Sequence, residues 1–112
     1  MARLIVTAIS EDILAGPGNR QPNVIVVSVT YNNGQPVTGL SLPNFQVDPL
    51  IVGPGGSQVD VSNVTAGRLA GFYIVEVVPV GAETWKAGIY IFAVVVLKGP
   101  SRGQTLASVL LD

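Results

Sequence analysis

Cysteine and histidine are both missing from the 112 residues. Their absence excludes a disulfide framework, a thiolate nucleophile, a Cys/His zinc site and imidazole acid–base chemistry. Charge is scarce as well: charged residues make up 12% of the chain, about half the usual globular share. The six basic residues, Arg3, Arg20, Arg68, Lys86, Lys98 and Arg102, are scattered along the chain and leave a net charge of -1. No basic run exists to follow a phosphate backbone or an anionic membrane, so nucleic acid is not an expected partner. Long apolar runs are lacking too. The longest, Ile89 to Leu97, is about half of the ~20 residues that a spanning helix needs, so no transmembrane segment is expected. At the N-terminus the apolar run is short and Glu11-Asp12 follow directly, which reads as mature sequence rather than a signal peptide. There is no Gly-x-Ser-x-Gly elbow. Gly53-Pro54-Gly55-Gly56 lacks the ending of a phosphate loop.

What is abundant is apolar and β-branched. Hydrophobic residues reach 48% of the chain, with 19 Val, 8 Ile and 10 Leu, and the mean hydropathy is +0.53. Val and Ile are stiff at χ1 and pack well on a pleated surface. Thirteen Gly and eight Pro cut the chain into pieces too short for most helices. Seven strand-like runs remain: Arg3 to Ile9, Asn23 to Tyr31, Asn44 to Val52, Gln58 to Thr65, Gly71 to Val80, Gly88 to Lys98 and Gln104 to Leu111. Pro49 marks the third as an edge or bent strand. Asn32-Asn33-Gly34 is a strong turn signal. Ser10-Glu11-Asp12-Ile13 predicts one helical turn capped by Ser10. Seven short strands without crossover helices predict a single all-β domain over 1–112, a seven-stranded antiparallel Greek-key sandwich.

Three segments carry a resemblance. Asn33-Gly34-Gln35-Pro36-Val37, Gly71-Phe72-Tyr73 and Trp85-Lys86-Ala87-Gly88-Ile89-Tyr90 together resemble bacterial immunoglobulin-like or transthyretin-like sandwich modules, over about two thirds of the chain. The resemblance implies an immunoglobulin-like fold and favours a secreted, cell-surface or virion setting. It also implies that Tyr90 is a tyrosine corner, whose hydroxyl bonds back to backbone a few residues upstream.

Candidate sites follow from the strand pattern. In such a sandwich the loops after the second, fourth and sixth strands gather at one end. They bring Asn32, Asn33, Gln35, Thr38, Arg68, Ser101 and Arg102 to a surface suited to a sugar, a carboxylate or a protein loop. The opposite end would hold Arg20, Gln21, Ser57, Glu83, Trp85 and Lys86, with Trp85 either a binding anchor or a lid on the core. Asp48 and Asp60 flank the glycine-rich loop but lack calcium-loop spacing. Asp60 and Glu76 read as solubilising charges on outward faces. A strand with one wet face should alternate apolar and polar residues. The first, sixth and seventh runs do not. This predicts a contact face formed by Ile89, Ile91, Val95, Leu97, Leu106 and Leu110, packed on a second copy, a neighbouring domain or another protein. The expected function is a non-enzymatic structural or binding module with no cofactor. The alternatives are a carbohydrate-binding module using the loop amides and Trp85, and an accessory domain of a larger enzyme.

Overall fold

The computed structural model describes residues 3–11, 18, 21–51, 58–81 and 84–111, and of Glu11, Ile51, Leu110 and Leu111 the backbone alone. Among the described residues there are seven strands: β1 (Leu4–Glu11), β2 (Asn23–Tyr31), β3 (Phe45–Ile51), β4 (Val59–Ala66), β5 (Phe72–Pro79), β6 (Gly88–Lys98) and β7 (Ser101–Leu111). They form two antiparallel sheets, ordered β1-β2-β5-β4 and β3-β6-β7. This is the strand order of the seven-stranded immunoglobulin-like Greek-key sandwich. A 3-10 turn, Leu42–Asn44, precedes β3.

Alternation builds the core. In β2, Ile25, Val27 and Val29 are fully buried; on β5, Val75 pairs with Ile25, Tyr73 with Val27, and Val77 with the buried Asn23. The second sheet contributes Phe45 and Val47 from β3, and Tyr90, Phe92, Val94 and Val96 from β6. Val37 and Leu40 are buried where the chain crosses from one sheet to the other. Pro49 sits on an edge strand, and the register of β3 on β6 shifts between Pro49 and Ile51. The missing proline N–H breaks no interior ladder there.

Two boundaries differ from the sequence reading by two residues or more. β1 runs on to Glu11, with Ser10 opposite Ile25 and Glu11 opposite Val24. Ser10 is therefore a strand residue and not a helix cap; one helical turn is too costly to nucleate against an available ladder. Asp12 and Ile13 lie outside the described residues. β7 starts at Ser101, paired with Lys98, so the turn is only Gly99-Pro100. Gly99 has φ +58°. A two-residue turn of this kind needs positive φ at its first central position, and the fixed negative φ of Pro100 suits the second. Ser101 and Arg102 are thus strand residues rather than loop residues.

The two sheets also meet edge to edge. Arg3, just before β1, forms an isolated parallel bridge with Arg102 of β7. At the far end of β1, Ser10 Oγ donates to the Ser108 carbonyl. Between these points a Cβ on Gly103 would fall onto the Leu4 carbonyl oxygen and within 2.8 Å of the Val6 side chain. Glycine is what lets the strands approach this closely.

Candidate functional site

The loop end is built around β2. Gly34 N–H donates to the Tyr31 carbonyl at 2.9 Å, and Tyr31 N–H to the Gln35 carbonyl at 2.8 Å. The Asn33 side-chain oxygen accepts from Gln35 N–H at 3.0 Å, so that amide is partly engaged within its own turn. Pro36 pairs with Thr30, and Val37 N–H donates to Val29. The crossing segment is pinned by Tyr73, whose hydroxyl donates to the Val37 carbonyl at 2.6 Å and accepts from Leu40 N–H at 3.4 Å. Lys98 Nζ donates to Tyr31 Oη at 3.3 Å and to the Thr38 carbonyl at 3.4 Å. It also lies 5.9 Å from the centre of the Tyr31 ring.

Asn32, Asn33, Gln35, Arg68 and Arg102 are all exposed. They share one end of the sandwich but do not form one cluster. Arg68 lies in the β4–β5 turn, and the sheet order puts β2 and β1 between that turn and β7. Three strand spacings separate Arg68 from Arg102, roughly 14 Å. Convergence was expected from loop order alone, which fixes the end of the molecule and not the position across it.

At the opposite end Trp85 is fully buried, so it is a lid on the core and no anchor for a ligand. Its indole N–H donates to the Gln21 carbonyl at 2.8 Å, satisfying the one polar group of the ring. The ring meets Tyr90 edge-on at 5.2 Å. Tyr90 is buried and its Oη accepts from Lys86 N–H, four residues upstream, at 2.9 Å. That is the bond a tyrosine corner makes. Arg20, Ser57 and Glu83 lie outside the described residues.

Among the carboxylates, Asp48 accepts from Gln46 Nε2 at 2.8 Å, and Glu76 from Asn63 Nδ2 at 3.1 Å. Asp48 and Asp60 border one groove between β3 and β4. Among the described residues no group of three or more acidic side chains is placed to hold a metal ion.

The outer face of the three-stranded sheet carries the expected contact residues. Tyr90, Phe92, Val94 and Val96 point inward, so Ile89, Ile91, Ala93, Val95 and Leu97 form the outward row of β6. Ile89 is 53% exposed, and Leu106 on β7, opposite Ala93, is 57% exposed. Val95 is only 6% exposed, standing between Gln46 and Gln104 in the register. It adds little surface, because a central strand is shielded by both neighbours. The side chain of Leu110 lies outside the described residues. The four-stranded sheet also shows apolar side chains, which the strand pattern did not single out: Ile9, Val26 and Ile74 form one cross-strand row beside Phe72. Arg3 and Tyr73 were missed as well. Arg3 opens β1 as a lone cation, and Tyr73 reads as an ordinary inward strand residue; only the tertiary pairing gives them partners.

No helix among the described residues is long and apolar enough to cross a membrane. Comparison with protein-family models, curated proteins and solved structures finds no match to this chain.

Proposed function

We propose that this protein is a non-enzymatic assembly module that packs on a second copy of itself through the outer face of its three-stranded sheet. One observation supports this reading. The five successive outward positions of β6, Ile89, Ile91, Ala93, Val95 and Leu97, are all apolar. Elsewhere such rows are interrupted, by Thr7 on β1, Ser28 on β2 and Glu76 on β5. An unbroken apolar ridge on a charge-poor surface gains from cover.

Charge favours a second copy as the cover. Asp48 and Arg102 flank the ridge on opposite sides. With one charge of each sign on the described part of this face, it is close to neutral and does not repel a second copy of itself. Size sets the strength. Strands of 7, 11 and 11 residues present roughly 450 Å², below the ~800 Å² per partner of a standard stable interface. The association is therefore weak and reversible.

Sedimentation equilibrium across the micromolar range tests this. Wild type should show a monomer–dimer equilibrium, which Ile91→Lys abolishes and Ile74→Lys, on the other sheet, leaves intact. A monomer at every concentration, or loss of the dimer in Ile74→Lys alone, overturns the proposal.

A further inference from the structure

The seam between the sheets carries a feature that the contact face does not explain. Arg3 and Arg102 lie directly opposite each other in the β1–β7 bridge, and both are exposed. Like charges opposed across neighbouring strands repel. Among the described residues no carboxylate pairs with either guanidinium; the one contact is from Arg102 Nη2 to Gln104 Oε1 at 3.5 Å. Ile5 follows Arg3 on the outward side of β1, and Gln104 follows Arg102 on that of β7. The four side chains, with Leu4, Val6 and Gly103, line a groove of about 590 Å³.

The wider field has the same sign. Arg68 and Lys98 stand at this end too, so it holds four of the five basic residues that the structure describes. The described carboxylates are elsewhere: Asp48 midway along β3, Asp60 at the far end of β4, and Glu76 opposite Val24 at the far end of β2. Such a pole concentrates small anions.

The geometry points to an oxyanion-binding site in the β1–β7 groove, in which the paired guanidiniums of Arg3 and Arg102 hold a carboxylate or phosphate group. The planar fork of arginine matches both anions in bidentate fashion. Gln104 Oε1 is taken by Arg102, so the amide N–H groups are the donors left for the ligand. Ile5, half exposed, forms an apolar wall beside the anion, which fits an organic acid with a short hydrocarbon body.

The test uses the full chain, isotope-labelled, at low ionic strength and at a concentration where it is monomeric. Inorganic phosphate, acetate and hexanoate are each titrated against sodium chloride of matched ionic strength. The signals followed are the Arg3 and Arg102 side-chain Nε–H groups and the Gly103 and Gln104 amides. Saturable shifts absent in chloride are expected, and Arg102→Gln should weaken them about tenfold or more. Tighter binding of hexanoate than of phosphate assigns the site to organic carboxylates; the reverse assigns it to phosphoryl groups. The Arg102→Gln variant should also melt no lower than wild type in low salt, because a repulsion has been removed. Non-saturable shifts, equal shifts in chloride, or unweakened binding in Arg102→Gln overturn the site. Anion binding is read on the monomer, and Ile91→Lys, which tests the dimer, leaves both arginines in place, so the two proposals fail separately.

Discussion

Tyr90 shows how one hydroxyl organises a corner of the fold. Its ring is packed between Trp85 and Phe92, and its oxygen satisfies a backbone N–H at the entrance to β6. Tyr90→Phe keeps the packing and orphans that N–H. Leaving a partly buried donor unsatisfied costs about 1–2 kcal/mol. Urea unfolding should therefore show a lower midpoint with an unchanged slope; an unchanged midpoint would remove Tyr90 from any structural role beyond its ring. This residue was legible because Gly88-Ile89-Tyr90 opens a long strand in a recognisable context. Trp85 was only half legible: a tryptophan between two strands can face in or out, and the choice rests on the Gln21 carbonyl, which lies far away in the chain.

The legibility of each strand followed its exposure pattern. β2 and β5 alternate cleanly, so their limits and inward faces could be read directly. β6 is apolar on both faces; as the central strand of its sheet it has neighbours that shield Ala93 and Val95 in the middle of its outer row and leave Ile89 and Leu97 exposed. The start of β7 is hidden in the sequence because glycine and proline mark a long loop and a two-residue turn alike. The β1–β7 contact could not be read at all: Ser10 and Ser108 are 98 residues apart in sequence, and no local pattern encodes a meeting between two sheet edges. That contact depends on Gly103. Gly103→Ala adds a methyl group where the Leu4 carbonyl and Val6 already sit, and overpacking of this kind costs about 1–3 kcal/mol. Thermal unfolding should report the loss, and hydrogen exchange should quicken in β1 before β5. Uniform exchange across both strands would mean that the seam does not unfold as a separate step.

At the scale of the whole molecule, charge and apolar surface are divided. The cations crowd one end, while the apolar ridge runs down the side of the three-stranded sheet. The molecule measures 41 × 25 × 21 Å. Its long dimension matches an 11-residue strand at about 3.3 Å per residue, so the strands run along its length. The cationic end and the ridge meet at Arg102, which flanks the ridge and lines the groove.

The parallel seam has a mechanical consequence. Arg3 stands at one end of the long axis, and Leu111, the last described residue, stands at the other. The strands that carry them lie side by side. A pull applied through those two points runs along β1 and β7 in opposite directions and loads their contact in shear. Contacts under shear must yield together, whereas peeled contacts yield one at a time. Stretched as a tandem array in a force-clamp experiment, the domain should hold until the seam slips and then extend in a single step. Gly103→Ala should lower the force at which that happens.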